Sequence, residues 1–188
     1  MANKKTIALT AEQYKAIINA LRLGFCGCRA NNRVATALVL EANLGLRISD
    51  ILSLKLADII KDGERYRLDI TEQKTGKERN FTVPNEIYSY IKIYCLENNI
   101  KPHQRIFPIG ERQVQKQLAL VCNYLGYFGI STHSFRKFFA TEIYTNNDYN
   151  IVLVQQLLQH STPAVTQRYI GIQPREIENA LQKHTQLI

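Results

Sequence analysis

A change of hydrophobic period near the middle of the chain limits the fold more than any other feature of the sequence. Apolar and polar residues alternate over residues 65–71 and again over 79–83, which is the pattern of strands with one buried face. The segment between them contains Gly76 and predicts a turn. Together these residues predict an antiparallel β-hairpin at about 65–83, with a third strand near 58–61.

Helical signals dominate the rest of the chain. Thr10 and Gln13 have the spacing of a capping box that opens a helix, and Gly45 stands where a helix over 32–43 would end. Further helices are predicted at about 49–54, 84–97, 111–125, 132–144, 151–158, 163–169 and 174–183. The fold class expected is α+β, mostly α, with about seven or eight helices and one small antiparallel β-sheet.

Length and charge narrow the range of partners. A chain of 188 residues, 45% of them hydrophobic, is long enough for one domain with its own core. The excess of 24 Lys and Arg over 16 Asp and Glu favours a polyanionic partner, with nucleic acid ahead of an acidic membrane. No stretch approaches the ~18 apolar residues of a membrane span, and no apolar signal core follows Met1, so secretion is not expected.

The cysteines do not suggest a metal centre. Cys26, Cys28, Cys95 and Cys122 follow no zinc-binding spacing, so reduced thiols are favoured over a metal site or a disulfide. No carboxylate cluster suited to magnesium occurs either, and we expect neither a cofactor nor a metal.

Two basic residues near a predicted helix start are candidates for binding an anion. His133 and Arg136 are three residues apart and share a helix face close to Thr132, where free backbone N–H groups favour phosphate. An imidazole and a guanidinium on one face can bind an anion and move a proton beside it. The alternative is an ordinary solvated polar face.

Other candidates carry alternatives of their own. Arg47 lies at a loop-to-helix junction among apolar residues, where it either serves a substrate or forms a salt bridge to Asp50 or Glu41. Lys74 lies in the hairpin turn, where a lysine is usually only solvated.

A histidine and a tyrosine end two successive predicted helices. His160 ends one helix and Tyr169 ends the next, short one. A packed ring explains most of the ten tyrosines equally well, so this pair alone is weak evidence.

Taken in chain order, these segments resemble the tyrosine recombinase, or phage integrase, family. Its members have Gly-Leu-Arg before a short helix, a Lys-Thr-Gly hairpin turn, a His-x-x-Arg helix start and His-Ser-Thr leading to a tyrosine. This sequence has all of these between about residues 32 and 171. The six catalytic positions of the family correspond to Arg47, Lys74, His133, Arg136, His160 and Tyr169.

The sequence departs from the family in two places. The second histidine usually follows a glycine, but here it follows Gln159, which changes the local turn without removing a functional group. Most members also carry an N-terminal core-binding domain, whereas only about 30 residues precede the matched region. We expect residues 1–188 to form a single catalytic domain without a core-binding domain, either excised or similar to the short fimbrial phase-switch recombinases.

The resemblance implies DNA strand exchange through a covalent 3′-phosphotyrosyl intermediate. It implies Tyr169 as nucleophile, Arg47 and Arg136 as phosphate ligands, and His133 as base. Lys74 would be the general acid, and His160 would support the phosphate or the tyrosine. Two rival activities are a topoisomerase of type IB and a DNA-binding accessory protein that has lost turnover.

The resemblance also implies the partners. They are double-stranded DNA and further copies of the chain, which would form a tetramer on DNA. A membrane is not an expected partner. The tail at 174–181 is amphipathic and docks either on a neighbouring protomer or on its own core. The expected setting is the cytoplasm, associated with the nucleoid, in a bacterium, a phage or another mobile element.

Overall fold

The computed structural model describes residues 6–171 together with residue 182. By packing, the chain divides into two compact units, Met1–Phe139 and Ala140–Ile188. The helices are α1 Ala11–Leu23, α2 Asn32–Leu44, α3 Ile48–Ser53, α4 Asn85–Glu97, α5 Glu111–Tyr124, α6 Thr132–Asn146, α7 Ile151–Leu158 and α8 Pro163–Ile170. The strands are β1 Ile59–Asp62, β2 Arg65–Thr71 and β3 Glu78–Val83, and a 3-10 turn at Leu56–Asp58 precedes β1.

The predicted hairpin is confirmed. The three strands form one antiparallel sheet in the order β1-β2-β3, and Leu68 at its centre lies opposite Ile59 and Phe81. Burial along β3 alternates as expected, with Arg79 and Val83 buried and their neighbours exposed. Gly76 closes the hairpin turn with a φ of 65°, a left-handed conformation that costs glycine little.

Local capping signals place the first two helices. Thr10 and Gln13 form the predicted capping box, so α1 begins at Ala11 and buries Ile17, Ile18 and Leu21. Helix α2 ends at Gly45, which has a φ of 60°. A Cβ atom at Gly45 would collide with the ring of Phe139, so this close approach also requires glycine.

The core of the first unit forms around α2. Ten of the thirteen residues of α2 are buried, which is the pattern of a helix surrounded by other elements. Side chains from distant segments complete this core, among them Ile51, Leu68, Phe107 and Phe135, all fully buried. Helix α6 contributes Phe135, which fixes the N-terminal part of that helix in the first unit.

Some helix ends differ from the sequence predictions. Helix α3 begins at Ile48, one residue before the predicted Ser49, because the carbonyl of Arg47 already accepts the first helical hydrogen bonds. Helix α6 continues to Asn146, two residues beyond the predicted end. The helix predicted over 174–183, like the tail proposed to dock, lies outside the described residues apart from residue 182.

The mostly helical α+β class with eight described helices is as predicted. That residues 1–188 act as a single catalytic domain stays a prediction. Within the described part of the chain, we find no helix that combines the length and the apolar character needed to span a membrane.

Candidate active site

A cavity of about 630 Å³ in the first unit brings together three of the residues predicted from the sequence. Arg47 reaches its wall from the start of α3, Lys74 from the β2–β3 turn and His133 from the first turn of α6. Two of these elements are helix N-termini, where unpaired backbone N–H groups add to the positive potential. The cavity wall is therefore suited to an anion.

Arg136 lies beside this cavity, one turn after His133. It is 2% exposed, and its Nη1 donates a 2.6 Å hydrogen bond to the carbonyl of Gly45 at the end of α2. The alternative of a solvated polar face is therefore wrong for Arg136, although His133 itself is exposed. A buried arginine held at one nitrogen keeps a fixed orientation for its other donors.

The charges around His133 show that these four side chains share one electrostatic environment. Loss of solvation lowers its pKa first, and the positive charges of Arg136, Lys74 and Arg47 lower it further, in that order, against an opposing effect of Glu111. A lowered pKa favours the neutral imidazole, which is the form that can accept a proton.

Arg47 is paired with a residue that the sequence interpretation did not name. Its Nη1 lies 2.5 Å from Oε2 of Glu72, so a salt bridge to Asp50 or Glu41 is not what the structure shows. Oε1 of the same carboxylate lies 3.2 Å from Nη1 of Arg79. Glu72 is 1% exposed and thus a buried anion shared by two arginines.

The turn that carries Lys74 is anchored at the two preceding residues. Glu72 holds Arg47 and also accepts a 2.7 Å hydrogen bond from the hydroxyl of Thr75. The backbone N–H of Gln73 donates to Oδ1 of Asp50, which is buried in α3, at 3.0 Å. Lys74 itself is exposed on the cavity wall, so its ammonium group stays accessible while its backbone is fixed from both elements.

Strand periodicity would have revealed this buried ion cluster. Leu68 is buried on β2, and Glu72 lies four residues later on the same face of an extended chain. Arg79 shares a face of β3 with Val83 in the same way. The sequence signal is a basic residue at an inward position of β3, Arg79, and an acidic residue that continues the inward face of β2 one position past its end, Glu72.

The buried cluster of Glu72, Arg47 and Arg79, which we call the Glu72 cluster, predicts that stability depends on pH. Burial would raise the pKa of Glu72, but hydrogen bonds from Thr75 and Arg47 and the charges of Arg47 and Arg79 outweigh it and lower the pKa from 4.5 to about 2. A lowered carboxyl pKa stabilises the fold above the unfolded value of 4.5, and that contribution disappears as pH falls toward 2.

We therefore expect Glu72→Gln to lower the free energy of unfolding by about 3 kcal/mol at neutral pH. The gap to the unsubstituted protein closes between pH 4.5 and 2, where Glu72 takes up a proton. Urea unfolding followed by circular dichroism across this range measures both effects. Glu64→Gln, at an exposed carboxylate, is the control, and an equal loss in the two variants would contradict the cluster's role.

A second buried carboxyl, Glu41 on α2, has the opposite character. It is fully buried, and neither of its oxygens has a side-chain hydrogen-bond partner among the described residues. The backbone of Ile48 interacts with it only weakly. Burial raises its pKa well above the usual range, although Arg136 opposes this. Glu41 thus destabilises the fold increasingly as pH rises above the unfolded value of 4.5.

Glu41→Met should stabilise the protein, because it exchanges a buried carboxyl whose burial is poorly compensated for an apolar chain of similar size. At about pH 8 we expect a gain of about 1 kcal/mol or more, shrinking toward pH 4.5 as the carboxyl becomes neutral in both states. Thermal unfolding across this pH range measures it, with the exposed Glu97→Met as control. A gain in stability that does not change with pH would show that ionisation of the Glu41 carboxyl is not its cause.

The second unit contains the other two predicted residues. Nδ1 of His160 and Oγ1 of Thr166 form a 3.0 Å hydrogen bond, and Thr166 is fully buried. The rings of His160 and Tyr169 meet edge to face, with centroids 5.1 Å apart. The α7–α8 junction therefore places the imidazole against the half-buried phenol ring.

The residue before His160 adopts a backbone conformation that favours glycine. Gln159 ends α7 with a φ of 54° and a ψ of 37°, the left-handed conformation that glycine adopts without steric cost. Gln159 takes the same conformation at a cost of roughly 1 kcal/mol. The imidazole of His160 is present and oriented by Thr166 despite this departure.

Metal-binding side chains do not cluster in the described part of the chain. Within residues 6–171 and 182, no three His, Cys, Asp or Glu side chains lie together as ligands for a metal ion. The four cysteines are free, with Cys26 exposed, Cys28 intermediate, and Cys95 and Cys122 buried.

Comparisons with known proteins show what this chain is similar to. The model of the phage integrase family matches residues 8–176. A probable integrase/recombinase, YoeC of Bacillus subtilis, is 33% identical over 150 residues, which cover 76% of this chain and 79% of YoeC. Tyrosine recombinase XerA of Pyrococcus furiosus is 25% identical over 184 residues, which cover 94% of this chain and 61% of XerA.

A solved structure shows the same fold. The XerH site-specific recombinase, in a post-cleavage complex with palindromic difH substrate, superposes with a TM-score of 0.76 at 21% identity. The match covers 97% of this chain and 54% of the XerH chain. This chain therefore spans about half of the XerH chain and 61% of XerA.

Proposed function

Because the chain belongs to the phage integrase family, we propose that it is a site-specific DNA recombinase that cleaves and rejoins double-stranded DNA through a 3′-phosphotyrosyl intermediate. The observation that carries the proposal is the cavity lined by Arg47, Lys74 and His133, with Arg136 fixed beside it. Such a site binds a phosphodiester and supplies both proton-transfer groups that its cleavage requires.

The arginines have the chemistry to stabilise the transition state. Negative charge grows on the non-bridging oxygens of the phosphodiester while the nucleophile attacks. Arg47 and Arg136 can each donate to these oxygens through two N–H groups, and a positioned donor of this kind is worth roughly 3–4 kcal/mol in other enzymes. Arg136 is held by the Gly45 carbonyl and Arg47 by Glu72, so neither must reorganise during the reaction.

The proton and bond changes then balance. The phenolic oxygen of Tyr169 attacks phosphorus and gives its proton to the neutral imidazole of His133. The bond from phosphorus to the 5′ oxygen breaks, and Lys74 protonates that oxygen. His160, in edge contact with the Tyr169 ring, supports the tyrosine or the phosphate. The ester keeps the bond energy, so a 5′-hydroxyl can reverse the step without ATP.

The proposed partners follow from the chemistry and the relatives. XerH is in complex with its difH substrate, and the net charge of +8 of this chain suits a DNA duplex. We further propose that residues 1–188 act as one catalytic domain and that copies assemble as a tetramer on DNA. Integration, excision and inversion are all compatible with this chemistry.

A covalent trap tests the proposal. The protein is incubated with a library of nicked suicide duplexes, from which a short 5′-hydroxyl fragment diffuses away after cleavage. We expect a denaturant-resistant protein–DNA complex, and sequencing of the trapped DNA reveals a defined site. Absence of any covalent complex would contradict the proposal, and relaxation of random plasmids without a preferred site would favour the topoisomerase alternative.

A further inference from the structure

Two further cavities of the first unit lie next to the candidate active site. A cavity of about 160 Å³ shares Ser49, Gln73 and Glu111 with the wall of the first cavity. A third cavity, of about 320 Å³, shares Arg105 with the second. Because neighbouring cavities have wall residues in common, they lie side by side in a row, which we call the Arg105 groove.

Positive charge and amide donors line the far end of this groove. Arg33 and Arg105 contribute the charges there, and Asn98, Asn99 and Gln104 contribute amide groups. No carboxylate lines this cavity, and among the described residues neither arginine has an acidic partner at salt-bridge distance. Two unneutralised guanidinium groups with amides between them are a surface for phosphate oxygens.

The backbone around Arg105 is held in place. Arg105 pairs with Lys55 in an isolated antiparallel bridge, and the following residue, Ile106, donates a 2.9 Å hydrogen bond to the carbonyl of Leu54. Arg33 lies in the first turn of α2, the most buried helix of the unit. Both arginines are exposed side chains on fixed backbone, so contact with a ligand does not require a loop to order first.

We propose that the Arg105 groove receives the DNA backbone next to the cleaved phosphate, with Arg105 and Arg33 each contacting one phosphate. This rests on the proposed function, because that function puts the scissile phosphate in the cavity where the groove begins. A row of cavities that begins at one phosphate and ends at two unneutralised arginines matches a strand carrying a charge at every nucleotide.

The salt dependence of DNA binding tests the groove directly. Each protein–phosphate ion pair adds about 0.9 to the magnitude of the slope of log K against log salt. We expect Arg105→Gln and Arg33→Gln each to reduce the slope by about 0.9, and the double variant by about twice that. Fluorescence anisotropy on a random-sequence duplex measures it, with Lys92→Gln, an exposed cation of α4 outside all three cavities, as control.

DNA in which single phosphates are made neutral tests which phosphate each arginine contacts. After the trap has identified a site, a single methylphosphonate is placed at successive positions beside the cleaved bond. At one position the uncharged phosphate should lower the DNA affinity of the unsubstituted protein but cause no further loss of affinity in Arg105→Gln. At a different position the same pattern should appear with Arg33→Gln. Additive losses of affinity at every position would overturn the proposed contacts.

The outcomes separate the groove from the recombinase activity. If the unsubstituted protein forms the covalent complex but the arginine variants have the same salt slope as Lys92→Gln, the proposed phosphate contacts in the groove are wrong and the proposed function stands. If no covalent complex forms but both slopes fall as expected, the groove binds DNA and the proposed function fails. Affinity for duplex RNA equal to that for duplex DNA would overturn the assignment of DNA as the occupant, because A-form RNA presents its phosphates in a different groove geometry.

Discussion

Tyr169→Phe is expected to abolish covalent attachment to DNA while leaving DNA affinity within about twofold of the unsubstituted protein. The substitution removes the phenolic oxygen, which is the proposed nucleophile, and keeps the ring that packs edge to face on His160. A binding contribution from one hydroxyl is small beside the charged contacts of a basic surface. The measurement is the denaturant-resistant complex on the trapped suicide substrate, together with equilibrium binding to the same duplex.

Tyr149→Phe is the matched control for this prediction. Tyr149 is a tyrosine of the same unit that is 61% exposed, and its ring contacts Tyr144 rather than His160. This control should form the covalent complex at the normal rate. A covalent complex that survives Tyr169→Phe would assign the nucleophile to another residue.

The second large effect is expected from the two arginines. Arg47→Ala and Arg136→Ala should each slow single-turnover cleavage at saturating DNA by about 100-fold or more, because each removes a donor to the charge that grows in the transition state. Arg29→Ala, an exposed arginine outside the cavity wall, should leave the rate unchanged. Quenched time courses on the suicide substrate measure these rates.

Arg136 needs a variant that separates catalysis from folding. It is almost fully buried, so removing it leaves the Gly45 carbonyl without that donor and destabilises the fold as well. Arg136→Lys keeps the positive charge but loses paired donation to two oxygens. We expect this variant to bind DNA normally and remain slow, and a near-normal cleavage rate would remove Arg136 from the proposed site.

Patterns confined to a few residues were enough to predict most of the secondary structure. The capping box at Thr10 and the glycine at 45 set helix ends through contacts within one turn, and the hairpin followed from alternation alone. The start of α3 was misplaced by one residue because Arg47, which makes no side-chain cap, serves as its N-cap. No local preference favours arginine at that position.

The partner of Arg47 was beyond local rules. Asp50 and Glu41 are its acidic neighbours in the sequence, whereas the structure pairs it with Glu72, which lies 25 residues later, just after β2. Asp50 instead binds the backbone N–H of Gln73. Both choices depend on how the hairpin packs on α3, since a carboxylate binds the donor that folding brings nearest rather than the one nearest in the chain.

The sequence by itself determined the elements and the positive charge of the chain, because these follow from composition or from spacing within a segment. It also determined the order and types of the six candidate residues, but only through resemblance to the motifs of a family. The tertiary structure alone decided that Arg136 is buried against Gly45, 91 residues away, that Glu72 joins Arg47 to Arg79, and that Arg105 lines a cavity next to the candidate site. The physical reason is that burial and ion pairing depend on distances between elements, which side-chain packing sets only once the whole core has formed.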